Sequence, residues 1–566
     1  MDQWVSWCLV ALPALPVLSA IVAPLTGSGQ QARAARLSVA MTAVTCVVSV
    51  ALLVAVLRAP QGDVTVAHLG PAALLLDNLA VAMAVLVSAI SLVVHVYSVR
   101  YMADEPGYAR FFAMLDLMTA VILMMVIAGD LLTLLVAWFL VGVLLFFLLG
   151  FDTSRKASGR YALWTFLTYR VGDLPLVGAA LLLWHGYGTA QLPELFARIG
   201  ADPNVQLGGV AVVPTAGMLL ALAAFARSAQ FLLHTWLPYT MDGPTPVSAL
   251  MHAGIVNAGG FLFNRFAPVF VHAPDALHLA FIVGLVTALI GSALMLTQND
   301  VKKSLGYSTM GQMGFMIMEC GLGAFSLAVY HLIAHGLFKA TLFLNAGNVI
   351  GDSRREDGVP PDDIYSFVVE RRPLREVQRV PWLLAALATV LVPALVLGLS
   401  HGMVAADFFH KQGSVVLLFF GWVTGAQLFF SIHKMPSESP LRTLTMVLLS
   451  FFIVVVGYTL IAHTFETFLY PDAELRDAIY AAASINVLAF DTLVVLVTVA
   501  LVGSWLATFY AHSLEFEGKP GTRWNAIYLN LYALFSREFY VSYIYTQLAR
   551  GTLSATKRVN IWLRWV

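Results

Sequence analysis

His331, His335 and Lys339 stand four residues apart in the segment AVYHLIAHGLFKATLF. On a helix that spacing puts all three on one face, about one turn apart. Histidine titrates near neutral pH, and burial lowers a lysine toward the same range. A file of two imidazoles and an amine is therefore a geometry along which protons can be handed. The same residues can instead be polar contacts that hold neighbouring helices together, and spacing alone leaves both readings open. Their surroundings are apolar, and an ionisable side chain inside a membrane span costs about 2.5–3.5 kcal/mol or more, which makes each one a candidate for function.

Three further groups of this kind occur. Arg170 and Asp173 fall within one helical turn in TYRVGDLPL, just before Pro175, and fit either an ion pair that packs helices or part of a charge pathway. Arg227 stands in AFARSAQFLLHTWLP, followed by Asp242 and His252 in MDGPTPVSALMHAG. Pro238, Gly243, Pro244 and Pro246 crowd the turn between those stretches and predict unwound backbone there. At membrane depth such backbone is tolerated only where protein or a water-filled cavity covers it, and interrupted helices beside buried charge are the usual build of transporter ion sites. Asp407, His410 and Lys411 form the last group, in AADFFHKQG, at a span boundary where a solvated loop fits as well as an intramembrane site. Arg227 in one half and Lys411 in the other each accompany an interrupted helix, a hint of an internal repeat.

Membrane helices have to position these charges. Of 566 residues, 59% are apolar and 11% charged, against about 25% charged in a soluble domain. Apolar runs long enough to cross a core of roughly 30 Å predict an all-α polytopic membrane protein of about fifteen transmembrane helices. They lie near residues 4–25, 37–57, 76–98, 111–129, 131–151, 161–184, 211–235, 246–268, 278–298, 304–322, 324–350, 381–402, 414–433, 444–463 and 485–511. The first of them lacks a basic start and a small-residue cleavage site, so a retained helix is expected rather than a signal peptide. With the N-terminus outside, Arg33, Arg36, Arg100, Arg155, Lys156, Lys302, Lys303, Arg354, Arg371, Arg375 and Lys434 share one face, and Arg58, Arg198, Arg265 and Arg476 the other. The positive-inside rule makes the first face cytoplasmic and puts the C-terminus there too.

Zero net charge gives no sign of a nucleic-acid partner. Cys8, Cys46 and Cys320 lack metal-type spacing, so neither an iron–sulfur site nor a disulfide framework is supported, and no metal or other cofactor is expected. The longest polar cytoplasmic connection is Gly351 to Arg379. The tail interleaves Trp524, Tyr528, Tyr532, Phe535, Phe539 and Tyr543 with charge, and suits either the membrane interface or a partner's surface.

The stretch SAQFLLHTWLPYTMDGPTPVSALMH, from Ser228 to His252, resembles the most characteristic segment of the NuoL, NuoM, NuoN and Mrp antiporter superfamily. LLLDNLAVAM around Asp77, HVYSVRYM ending at Met102, RFF at 110–112, RVGD at 170–173, NDVKKSLGYSTMGQMGFM from Asn299 and HLIAHGLFKATLFLNAG from His331 extend the resemblance, which is strong over about residues 70 to 350. It implies inverted repeats of five helices, each with a broken helix, and a central line of ionisable residues carrying protons. The corresponding division is N-terminal helices at 1–110, a first repeat at 111–270, a second at 271–433, and C-terminal helices with an amphipathic tail at 434–566. On that footing His331, His335 and Lys339 match the family's second-half relay, His252 the histidine after the GPTP turn, and Asp173 the acid of RVGD.

Three departures stand out. The family usually has a glutamate directly after the tryptophan of its fifth span, where this chain has Phe139 after Trp138, and a lysine before SAQ, where it has Arg227. A guanidinium does not release its proton in proteins and cannot relay one as lysine can. FFHK, ending at Lys411, resembles the family's FFSK but runs into another apolar span almost at once. The long lateral helix of NuoL and the large extension of MrpA-type subunits are expected to be missing. Together these traits resemble the DabB family of inorganic-carbon accumulation subunits in the bacterial inner membrane. That resemblance implies a chain without a catalytic site of its own, which lets protons or sodium ions flow inward. A large soluble, zinc-containing, carbonic-anhydrase-like DabA subunit on the cytoplasmic face would spend that gradient on hydrating carbon dioxide. A respiratory subunit and a cation/proton antiporter subunit share the same core and are the alternatives.

Overall fold

The computed structural model describes residues 3–25, 31–59, 62, 64–240, 243–298, 300–346, 382–404, 440–484, 492, 496, 499 and 523–547. Asp242, Asp407, His410, Lys411, the connection from Gly351 to Arg379 and the expected span 414–433 lie outside the described residues, as does 485–511 apart from three isolated positions.

The chain is helical, and among the described residues ten helices are long and apolar enough to cross a membrane, making it a multi-pass membrane protein. The first group is α1 (Gln3–Leu25), α2 (Gln31–Arg58), α3 (Asn78–Tyr101), α4 (Tyr108–Val126), α5 (Leu131–Leu149) and α6 (Lys156–Tyr187). A short hairpin, β1 (Thr65–Leu69) and β2 (Ala72–Leu76), precedes α3. Helix starts follow their caps: Asp77 accepts from the Ala80 amide and Asp130 from the Thr133 amide, each satisfying an otherwise orphan N–H. α7 (Leu192–Ala201) and a second small hairpin, β3 (Gln206–Leu207) and β4 (Val210–Ala211), lead into α8 (Val212–Arg227).

The outward faces of these helices suit lipid. Leu163, Leu167, Val171, Leu174, Val177 and Leu181 line the exposed side of α6 at three- and four-residue steps. Its opposite side buries Thr165, Tyr169, Gly172 and Leu176.

The helix expected over 211–235 ends early, at Arg227. Residues 228–235 leave the helix, with Ala229 at φ 49° and Leu232 at φ 74°, a left-handed region that side chains disfavour. The freed backbone groups are met by protein: Thr287 Oγ1 accepts from the Phe231 amide (2.9 Å), and Ser228 Oγ accepts from the Gly259 amide (3.0 Å) while donating to the Val256 carbonyl (2.7 Å). That compensation lets unwound backbone persist at depth. The Pro-rich turn does not carry the break alone. The expected span 246–268 is present as one span, Thr245–Arg265, made of α10 (Thr245–Leu250), a π-helical turn at Met251–Ile255 and α11 (Ala258–Arg265), with the short α9 (Trp236–Tyr239) before it and α12 (Ala267–Phe270) after it. π-turns of this kind gather at functional sites.

α13 (Pro274–Leu296), α14 (Val301–Gly321) and α15 (Phe325–Ala346) complete the core, with α16 (Trp382–Val404), α17 (Pro440–Leu469), α18 (Ala473–Ala482) and α19 (Arg523–Ser536) following. Part of the aromatic tail packs on the chain itself. The Phe539 ring meets Phe231 edge-on at 5.8 Å, and the Tyr545 hydroxyl donates to the Leu232 carbonyl (2.6 Å), so the tail covers the unwound segment.

Candidate functional site: two buried clusters of charge

Of the residues singled out in the sequence, His331, His335 and Lys339 lie on α15, and His252 lies in the π-turn that packs against it. Gly336 makes that approach possible, because a side chain there would press on the Ala253 carbonyl. His252 is fully buried and stacks on Phe343 of α15, with ring centroids 4.3 Å apart and planes 14° apart. His335 is 6% exposed and Lys339 1%, so both are held away from lipid and solvent. The Lys339 ammonium donates to the Leu305 carbonyl of α14 (3.2 Å). The His331 and His335 ring centroids are 6.2 Å apart. Neither ring nitrogen of His335 or of His252 has a hydrogen-bond partner among the described residues. Buried polar groups are completed by protein or by water. These two imidazoles therefore sit where water would have to complete them.

Sequence reading missed one member of this group. Glu319, near the end of α14 and 2% exposed, places Oε2 3.1 Å from His331 Nδ1, and Gln312 Oε1 lies 2.9 Å from His331 Nε2. An acid in GFMIMECG was the available signal, but no i, i+4 partner on its own helix marked it.

The first-half cluster is built differently. Gly172 on α6 leaves no room for a side chain against Ala226 of α8, and the close contact sets Asp173 beside Arg227. Arg227 is 2% exposed. Its guanidinium lies over the rings of Trp138 (4.4 Å) and Tyr169 (4.2 Å), donates to the Trp138 carbonyl (2.5 Å), and reaches 3.9 Å from Asp173 Oδ1. Trp138 Nε1 donates to the same carboxylate oxygen (3.0 Å), and Arg170 pairs with the other at 2.8 Å. Phe139, standing where the resemblance expects an acid, faces the Arg170 guanidinium at 4.1 Å, with Phe166 at 4.4 Å. Two guanidiniums thus share one carboxylate, and aromatic faces supply the rest of the stabilisation. The arrangement holds fixed positive charge and offers no second proton acceptor among those side chains.

Between the clusters lies His234, fully buried in the unwound segment, stacked on Phe231 at 5.7 Å and 6.5 Å from the Tyr307 ring of α14.

A separate polar group joins α1, α3 and α4. His95 and Asp116 are both fully buried, 3.1 Å apart. Ser19 donates to Asp116 Oδ2 (2.7 Å), the Ser91 carbonyl lies 2.7 Å from His95 Nδ1, and Ser91 and Thr119 share a 2.5 Å hydrogen bond. Nε2 thus faces the carboxylate and Nδ1 the Ser91 carbonyl, and the pair ties α3 to α4 inside the bundle. Replacing Asp116 with alanine strands His95 and Ser19 together. Breaking such a buried pair costs about 3–5 kcal/mol, and thermal unfolding of the purified variant in detergent should show a clearly lower midpoint.

The transmembrane model of the NADH:quinone oxidoreductase/Mrp antiporter family matches residues 128–424, and that of the complex I chain 5 N-terminus matches residues 70–112. The probable inorganic carbon transporter subunit DabB1 of Halothiobacillus neapolitanus is 56% identical over 94% of this chain and 95% of its own length. NAD(P)H-quinone oxidoreductase chain 5 of a Synechocystis species is 36% identical over 64% of this chain, which spans about half (53%) of that relative. In fold, the chain is similar over 98% of its length to the Mrp complex of a Dietzia species, at a TM-score of 0.61 and 24% identity, covering 60% of that chain. The chain therefore belongs to the family of NADH:quinone oxidoreductase and Mrp antiporter transmembrane subunits, and within it is DabB-like.

Proposed function

We propose that this chain is the cation-conducting membrane subunit of an inorganic-carbon uptake complex in a bacterial inner membrane, with its N-terminus outside and its C-terminus cytoplasmic. The observation that carries the reading is the file on α15: three ionisable groups on one face, His335 and Lys339 buried, His252 beside them, and the nitrogens of His335 and His252 without a protein partner among the described residues. Protons enter near His331, pass His335 and Lys339, and leave toward the cytoplasmic face. Asp173, Arg170 and Arg227 act electrostatically, because a fixed positive charge raises the cost of a protonated neighbour and so discourages accumulation in the first half. His252 couples to the file as a gating group. Asp242, Asp407, His410 and Lys411 remain candidates for the same pathway.

The 56% identity to a probable inorganic carbon transporter subunit supports the carbon reading. The chemistry itself, hydration of carbon dioxide to bicarbonate, falls to a large soluble zinc-containing partner of the DabA type docked on the cytoplasmic face. The 36% identity to a quinone oxidoreductase chain supports a second reading, a respiratory or antiporter subunit. Native purification decides between them. A single soluble zinc protein in stoichiometric amount is expected, whereas a ring of antiporter-like subunits, with flux tied to NADH oxidation or sodium efflux, would favour the second.

A further inference from the structure

We propose that Glu319 is the proton acceptor at the outer end of the α15 file, loading His331 from the side of the molecule that carries Arg265 and Arg476. The proposal rests on the proton-file reading and adds a residue to it. Glu319 is the one acid in contact with the file among the described residues, and at 2% exposure it sits inside the bundle while its carboxylate meets His331 Nδ1 at 3.1 Å. The other nitrogen of that imidazole faces the Gln312 carbonyl oxygen at 2.9 Å. The Gln312 carbonyl takes the Nε2–H of the neutral ring, which leaves the Nδ1 lone pair facing Glu319, so a proton arriving on the carboxylate has a direct receiver at Nδ1. The step is a bare proton transfer: the Glu319 O–H bond breaks and the His331 Nδ1–H bond forms, and the imidazolium then returns to neutral by giving up one N–H proton, through water, to a ring nitrogen of His335.

The surroundings of Glu319 lead to one end of the molecule. The Tyr458 ring of α17 meets that of Tyr330, the residue before His331, at 5.4 Å. The Tyr480 hydroxyl of α18 donates to Glu466 Oε1 (3.3 Å), and Glu466 is partly exposed. Gly323, in the α14–α15 turn four residues beyond Glu319, packs directly against the α18 backbone, which keeps this acid and hydroxyl group beside the carboxylate. Arg476 of the same helix bonds the Tyr470 carbonyl, and Tyr470 in turn bonds Asn264, next to Arg265. Lys339, by contrast, lies against the opposite part of α14, near Lys302 and Lys303. The file thus has an acid at the end away from its amine.

An acid that merely orients His331 and an acid that takes up the proton are separable. Glu319→Gln keeps the size and a carbonyl acceptor for the ring, but cannot take up a proton. Inward proton flux should be measured in proteoliposomes holding the complex as purified, for wild type, Glu319→Gln, Glu319→Asp and His335→Ala, with thermal unfolding as the check on folding. Loss of a positioned proton-transfer group predicts a flux lower by on the order of 100-fold in Glu319→Gln. Partial flux should persist in Glu319→Asp. Full flux in a folded Glu319→Gln alongside a dead His335→Ala would overturn the role of Glu319 and leave the file intact. Full flux in His335→Ala would instead overturn the file.

Discussion

Replacing Lys339 or His335 with alanine should abolish carbon uptake and inward proton flux while the complex still assembles. Both side chains are almost wholly buried, and among the described residues the Lys339 ammonium makes one hydrogen bond, to a carbonyl on α14. In the proposed relay, removing the amine deletes the group that would receive a proton from His335. No other ionisable side chain on α15 replaces it. Growth at ambient carbon dioxide and flux in proteoliposomes should both fall to the level of cells and vesicles without the protein, and co-purification of the partner should be unchanged. Retained uptake in either variant would contradict the relay. Lys339→Arg separates charge from proton exchange: it keeps the cation but not the ability to give up a proton, and should be equally inactive.

Asp173→Ala should act on folding instead. Arg227 at 2% exposure and Arg170 both depend on this single carboxylate, and Trp138 donates to it as well. Alanine leaves two guanidiniums close together inside the bundle, facing only aromatic rings and a carbonyl. Removing one partner of a buried ion pair costs about 3–5 kcal/mol, which is a large part of a typical stability margin. Little folded protein should be recovered, and what is recovered should unfold at a markedly lower temperature. Asp173→Asn preserves the Trp138 hydrogen bond without the charge and should fall between. A stable Asp173→Ala with wild-type thermal behaviour would show that the arginines are held by the aromatic faces alone.

Much of this was legible in the sequence, because a lipid environment makes unusual residues conspicuous. His331, His335, Lys339, Arg170, Asp173 and Arg227 are visible as charge in apolar segments, and the i, i+4 rule placed the first three on one face. The break in the helix carrying Arg227 was legible only in part. The prolines and glycine at 238–246 announce irregular backbone, but the unwinding begins at Ser228, where Thr287 of α13 receives the Phe231 amide and the Ser228 hydroxyl accepts from the Gly259 amide of α11. Those partners are far away in sequence and leave no local mark. Glu319, His234 and the His95–Asp116 pair were missed for the same reason: each acquires meaning from a residue on another helix. The substitution of Phe139 for an expected acid reads in sequence only as a loss. The structure supplies the consequence, an aromatic face against Arg170.

The central claim, that ions moving through the second half energise a partner's chemistry, is tested most directly in one preparation. The complex is reconstituted into liposomes, an inward proton gradient is imposed, and proton flux and bicarbonate formation are recorded together for wild type and His335→Ala. Bicarbonate should form only while the gradient lasts, and flux and product should vanish together in the variant. Bicarbonate formation that continues without a gradient, or that survives in a variant carrying no flux, would contradict it.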